Sequence, residues 1–311
     1  EIKITKYKNK RRKIVSYKIE EETKENELLS PKLDVIFQIL FGEKGSENIT
    51  KDFLSTILDE KIIDISLEPN IVLRKELPEG KLGVVDVLAK INNNEYCNIE
   101  MQMTEKKNLI KRILYYWARE YTREIGEAEN YINLKRTIIV LIVNFELKSL
   151  KELGINSSFV LIEKKKRKVI LTEDIEINII EIPKIYKKVG EKENQKLIEW
   201  LSFLEAPDSK EVLSYMESNE NMKKAKEKLN EISGDEKVRR IAELRKKAIM
   251  DEKDAEYTGY SNGLEEGIKQ GKEEGYREGI IKIAKKMKEK KEKIEYIMEI
   301  TGLGKEEIEK L

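Results

Sequence analysis

The chain has 311 residues, 39% hydrophobic and 39% charged, and its 61 Lys and Arg against 60 Asp and Glu leave a net charge of +1. That length suggests about two domains, the apolar share supports a real core with part of the chain extended and solvated, and the near-zero net charge gives no global argument for nucleic acid, so charge distribution has to carry one. No histidine and a single cysteine, Cys97, remove Ser-His-Asp and Cys-His hydrolases, nucleases with an imidazole base, the usual Cys/His zinc sites and an internal disulfide.

A hydrolytic enzyme of this composition must therefore work with carboxylates and metal. No apolar run is long enough to span a bilayer and no signal-peptide pattern opens the sequence, so the expectation is a cytoplasmic protein with no membrane contact.

In chain order, residues 1–26 read as a charged arm, basic at 3–13 and acidic from 20 onward. Ser30 and Pro31 read as N-cap and first position of a helix, with Leu33, Ile36, Phe37, Leu40 and Phe41 as its apolar stripe and Gly42 as its end. Asp34 falls in the first turn, where it suits the helix dipole. Residues 50–59 predict a short helix packing Phe53, Leu54 and Ile57; a strand and loop interrupted by Pro69 follow, with Arg74, Lys75 and Lys81 nearby.

Residues 82–103 predict a β-hairpin turning at Asn92, Asn93 and Asn94. In its second strand Ile99, Met101 and Met103 share one face and Asn98, Glu100 and Gln102 the other. Folding about Asn93 puts Asp86 opposite Glu100 to within a residue, and directly opposed Cβ atoms lie about 5 Å apart. Two such carboxylates repel unless one takes a proton or both grip a divalent cation. In a chain this charged, the pattern also arises by chance.

A helix with a broad apolar band (Leu109, Ile113, Leu114, Tyr116, Trp117, Tyr121) is predicted over 105–125, and Arg112 and Tyr116 lie one turn apart on it. Residues 137–145 form an unbroken apolar run suited to a central strand covered on both faces. Strand-like runs at 158–162 and 169–172 flank Lys164, Lys165, Lys166, Arg167 and Lys168, a hairpin whose basic tip either rests on phosphates or serves solubility. Pro183 closes the sheet region, and 186–255 reads as a charged helical extension with one apolar patch at Trp200, Leu201, Phe203 and Leu204.

Gly259, Gly263, Gly267, Gly271, Gly275 and Gly279 then recur every fourth residue. Each costs about 1 kcal/mol in a helix interior, so the segment is either a flexible linker or a helix that self-associates along a glycine seam. The last residues predict two short helices joined at 301–304.

At Asp86, Glu100 and Gln102 the chain resembles the recombination-promoting nuclease or transposase-like family of the PD-(D/E)XK nuclease superfamily, whose motif is Asp, a short hairpin, then Glu-x-Gln where other members have Glu-x-Lys. Residues 30–42, 111–125, 137–145, the glycine tail and 300–311 carry the likeness further, from Glu27 onward. The resemblance implies an α/β fold, a mixed central sheet flanked by helices in a restriction-endonuclease-like core over 27–185, with an α-helical C-terminal extension (186–255) and a final unit (256–311). It implies a Mg²⁺-dependent DNA endonuclease, with Mn²⁺ as a substitute, linked to recombination or mobile elements. Asp86, Glu100 and the Met101 backbone carbonyl would hold the metal, with Asp34 as a further ligand or support. Gln102 would orient the attacking water. Arg112 and Tyr116 match the family's Arg-x-x-x-Tyr and would sit beside the metal and contact a phosphate; apart from the resemblance, Lys165, Lys166 and Arg167 of the basic tip are further candidates for DNA contact. The alternative reading is a nuclease-fold protein, weak or inactive, that binds DNA or self-associates; a homo-oligomer through the glycine tail is expected in either case.

Overall fold

Apolar alternation and one continuous apolar strand organise the chain around a six-stranded sheet. The computed structural model describes residues 27–68, 87–92, 95–123, 125–126, 130–187 and 194–311. The arm at 1–26, Pro69, Arg74, Lys75, Lys81, Asn93, Asn94 and Asp86 lie outside the described residues.

The helices and strands in order are α1 (Asp34–Gly42), α2 (Glu47–Leu58), β1 (Ile65–Glu68), β2 (Val87–Ile91), β3 (Glu95–Gln102), α3 (Leu109–Tyr121), β4 (Thr137–Val143), β5 (Asn156–Ile162), β6 (Ile170–Glu181), α4 (Gln195–Glu205), α5 (Lys210–Tyr215), α6 (Glu220–Gly234), α7 (Glu236–Glu289), α8 (Ile294–Thr301) and α9 (Lys305–Lys310). The sheet order is β1-β2-β3-β4-β6-β5. β3, β4 and β6 run parallel, and the outer pairs are antiparallel. This is the mixed sheet with flanking helices expected of a restriction-endonuclease-like α/β fold.

β4 is buried at all seven positions, as its apolar run requires. Ile139, Leu141 and Val143 face α3, where Leu109 and Ile113 cover them together with Ile179 of β6. The register Asn98↔Ile139, Glu100↔Leu141, Gln102↔Val143 puts the polar side of β3 on that same α3 face. On the other face α1 packs over β2 and β3, and the rings of Phe37, Phe41, Phe53 and Trp200 stack with centroids 4.7 to 5.5 Å apart in successive pairs.

Three sequence expectations need correcting. α1 begins at Asp34 with Leu33 as N-cap, because Ser30 and Pro31 form a preceding turn in which the Leu33 N–H bonds the Ser30 carbonyl at 3.1 Å. Leu114, counted in the buried band of α3, is 43% exposed: it lies next to Ile113 in sequence and so 100° off the sheet-facing stripe. The stretch 186–255 is not a separate extension. α4 and α6 pack on α2, where Asp52 accepts hydrogen bonds from Trp200 Nε1 (3.0 Å) and Asn219 Nδ2 (3.1 Å), and the first compact unit runs to Glu243.

The C-terminal end of that unit's sheet is tied by a buried ion pair. Lys184 Nζ lies 2.5 Å from Glu181 and donates to the carbonyls of Leu150, Leu153 and Gly154, while Glu181 Oε1 accepts the Leu147 N–H at 2.7 Å. At the opposite end Arg136 gathers Glu60 (2.9 Å), Glu95 (3.3 Å) and Glu176 (2.5 Å).

The second unit, Leu244–Leu311, holds the rest of α7 with α8 and α9. Ala284, Ile297 and Ile308 form its small core, and Gly302 adopts the left-handed conformation (φ 71°) that turns α8 into α9. The six glycines of the repeat all lie in α7 as exposed helical residues, so the repeat is helix rather than linker.

Candidate active site

β2 and β3 pair as Val87↔Ile99, Leu88↔Asn98 and Ala89↔Cys97. The described pairing begins at Val87 opposite Ile99, so the expected facing of Asp86 and Glu100 falls beyond it. Asp86 itself lies outside the described residues. Asn92 turns the hairpin with φ 38°, a left-handed conformation that asparagine tolerates.

The side of β3 that alternation marks as polar is not an open surface. Asn98 is fully buried and Glu100 is 3% exposed beneath α3. Strand periodicity says which residues share a face, but the crossover helix decides whether that face sees water. Gln102, near the strand's end, is half-buried, and its carbonyl accepts the Asn144 N–H at 3.0 Å.

Burial of that acid leaves clear chemical traces. Glu100 Oε1, both amide atoms of Asn98, and Arg112 Nε and Nη2 are sequestered with no hydrogen-bond partner among the described residues. Burial pushes the Glu100 carboxyl up to about 7; the Arg112 guanidinium, and then the Asn98 amide, pull it part of the way back. Arg112 is thus close enough to feel the carboxylate's charge, yet its Nε and Nη2 donors remain unfilled. Such groups normally find partners, since an unpaired buried donor or acceptor costs about 1–3 kcal/mol. A cation on the carboxylate and a phosphate oxygen on the guanidinium would satisfy both sets at once.

Sequence reasoning placed Glu100 and Arg112 in the site, and the fold brings them together. It missed Asn98 as a member, although Asn98 stands two residues before Glu100 on the same face, and that alternation was the available signal. Tyr116 is half-buried one turn beyond Arg112, and its ring neighbours Tyr115 at 5.9 Å. Asp34 accepts the Val35 N–H at 2.8 Å in the first turn of α1; α1 covers the opposite side of the sheet from the one Glu100 faces. Lys165, Lys166 and Arg167 are not part of this cluster. They cap the β5–β6 hairpin, and the Glu100 row meets β6 at Ile179, about ten residues or roughly 30 Å along the strand from the tip.

A Glu-x-Gln motif lacks the lysine charge found after the acid in other superfamily members. Lys32 Nζ reaches this end of the sheet but is engaged by Glu205 at 2.6 Å and by Asn144 Oδ1 at 3.3 Å. Cys97, fully buried on β3, has its thiol pKa pushed far up by burial, which keeps it a packing residue.

The residues present fit a hard cation. Glu100 offers an unfilled carboxylate oxygen and Asn98 an unfilled amide oxygen, both of the kind Mg²⁺ accepts. Among the described residues no three His, Cys, Asp or Glu side chains converge on a metal position.

The mixed six-stranded sheet with flanking helices is consistent with a restriction-endonuclease-like α/β core. The family model described as PD-(D/E)XK nuclease family transposase matches residues 31–258, and the chain belongs to that family. Nucleases of this superfamily generally act on DNA with divalent metal ions. No curated protein and no solved structure matches the chain.

Proposed function

We propose that the protein is a metal-dependent DNA endonuclease that hydrolyses phosphodiester bonds, serving recombination or mobile-element processes in the cytoplasm. The carrying observation is the buried pair of unfilled groups, Glu100 Oε1 and the Arg112 guanidinium, one short of a cation and the other short of an anion. Asp86, Glu100 and the Met101 carbonyl would hold Mg²⁺ or Mn²⁺; Asp34, on the far side of the sheet from Glu100, has no part in it. When bound, the metal polarises the scissile phosphate and lowers the pKa of water.

The protein's own groups then do the following. Arg112 donates its free Nε–H and Nη2–H to a non-bridging phosphate oxygen, a charge-assisted bond that strengthens as negative charge builds on the phosphoryl group. Tyr116, one turn further, lines the same approach. Gln102 orients the attacking water through its amide oxygen; being neutral, it neither deprotonates that water nor offsets charge. The water oxygen forms the new bond to phosphorus, the bond to the leaving sugar oxygen breaks, and that oxygen takes up a proton.

Supercoiled plasmid incubated with Mg²⁺ or EDTA, beside Asp86→Ala and Glu100→Gln, tests the assignment. Nicking by wild type with Mg²⁺ alone is expected, with at least a hundredfold loss in each variant. Equal nicking by wild type and variants would refute it. The neutral Gln102 favours one second reading, a protein that retains this fold to bind DNA without cutting it. In both readings the glycine face of α7 is proposed to join copies of the chain into a homo-oligomer.

A further inference from the structure

β6 pairs with β4 only from Ile175 to Glu181, whereas its pairing with β5 continues through Leu161↔Thr172 to Ile162↔Ile170. Beyond Ile175 the sheet therefore narrows to a two-stranded ribbon. Its side chains are exposed on both faces, as Ile162 (46%), Ile170 (50%) and Leu171 (79%) show, so it stands clear of the core. The tip carries Lys164, Lys165, Lys166, Arg167 and Lys168, all exposed and none in an ion pair among the described residues. The tip's own acid is committed to the turn. Glu163 accepts the backbone N–H groups of Lys165 (2.9 Å) and Lys166 (2.5 Å), and those bonds hold its carboxyl below the usual range.

α3 connects this ribbon to the site. Its first turn brings Arg112 beside Glu100, its middle anchors where Trp117 Nε1 bonds the Thr137 carbonyl at the start of β4 (3.0 Å), and its last residue, Tyr121, bonds Asp174 at the ribbon's root (3.1 Å). Its outward side carries exposed Lys111, Tyr115 and Arg119 at four-residue steps, with Lys107 just before. Arg119 also lies 3.7 Å from Glu120.

We propose that the β5–β6 ribbon is a second nucleic-acid contact, gripping the duplex about one helical turn from the phosphate held at Glu100 and Arg112. This inference rests on the nuclease reading of that site. From Arg112 to Tyr121 α3 spans about 14 Å, and the five unpaired-to-β4 residues at 170–174 add about 17 Å. Their sum is close to the 34–36 Å pitch of B-DNA. A two-stranded ribbon fits the major groove, and five cations with little local neutralisation supply phosphate contacts independent of sequence. An anionic membrane would also attract basic and apolar groups. The line of cations along α3 from site to ribbon matches a rod of charge better than a plane.

The full-length protein in EDTA, with fluorescent duplexes, tests this by binding alone. The variant Lys164→Ala/Lys165→Ala/Lys166→Ala/Lys168→Ala is compared with wild type on a 24-base-pair duplex and on an 8-base-pair hairpin, whose roughly 27 Å length is too short to reach both places. The expected result is at least a tenfold loss on the long duplex, a salt slope smaller by about 3 to 4, and less than a twofold change on the hairpin. An equal loss on both lengths, or none on either, overturns the proposal. So does wild-type binding to phosphatidylserine vesicles that the variant loses while duplex affinity stays unchanged. Failure of Mg²⁺-dependent nicking, measured separately, would refute the nuclease reading without mimicking any of these binding outcomes.

Discussion

Replacing Glu100 with glutamine should stabilise the metal-free protein, and by an amount set by pH. The carboxyl titrates near 7 when folded, against 4.5 when solvated. The folded state therefore binds the proton more tightly, so stability falls as pH rises from about 4.5 through about 7 and levels off above that. At 1.36 kcal/mol per pH unit, ionising this buried group costs about 3 kcal/mol at pH 8. Glutamine keeps the shape and never ionises. Glu100→Gln in EDTA should thus melt about 6–12 °C above wild type at pH 8, using about 2–4 °C per kcal/mol for a unit of this size, and the gap should close towards pH 4.5. Calorimetry across that range, repeated with 10 mM Mg²⁺, provides the assay. Mg²⁺ should restore the wild type at pH 8, by about 1.4 kcal/mol for each tenfold excess over Kd, and leave the variant unmoved. A pH-independent gap, or a wild type more stable than the variant in EDTA at pH 8, would refute the reasoning that this carboxylate is buried without its cation.

The buried Lys184–Glu181 pair makes a stability prediction of the opposite sign. Lys184→Met strands Glu181 at full burial and should cost about 3–5 kcal/mol in urea unfolding, most of it recovered in Lys184→Met/Glu181→Leu; a single-variant cost under 1 kcal/mol would exclude the clamp. In α7, an added Cβ at Gly263, Gly267 or Gly271 meets nothing within 4 Å, so alanine there should raise helix stability by about 0.5–1 kcal/mol each while abolishing self-association in sedimentation. Oligomers that survive the triple alanine variant would show that the glycines are not the contact.

Much of the architecture was legible because it follows from periodicity. The run at 137–145 could only be a strand covered on both faces, and it is β4, buried throughout. The Asn-rich turn with period-2 alternation gave the β2–β3 register, and a helix between two parallel strands is what joins β3 to β4. The apolar patch at Trp200 was equally plain, but not its destination. Trp200 closes on Phe41 and Phe53 from more than a hundred residues upstream, and nothing local in the sequence encodes which earlier helix a later one will cover. The same limit explains the misplaced boundary at 185, since a rise in charge marks a helix's outer face and says nothing of what its inner face meets.

The site shows this limit most sharply. Alternation put Asn98, Glu100 and Gln102 on one side without saying whether that side meets water, and the helix that supplies Arg112 is also the lid over Glu100. One element cannot bring the guanidinium to the carboxylate without shutting out water, because Leu109 and Ile113 on its inner stripe must bury themselves against Leu141 and its neighbours. Burial raises the cost of the charge, and the unfilled guanidinium beside it is what an incoming phosphate needs. A carboxylate in water would hold a metal without reference to substrate. On the proposed nuclease reading, one kept dry beside Arg112 gains most when cation and phosphate are both bound, so the metal that binds alone should bind more tightly with DNA present, and Arg112→Ala should remove that increase.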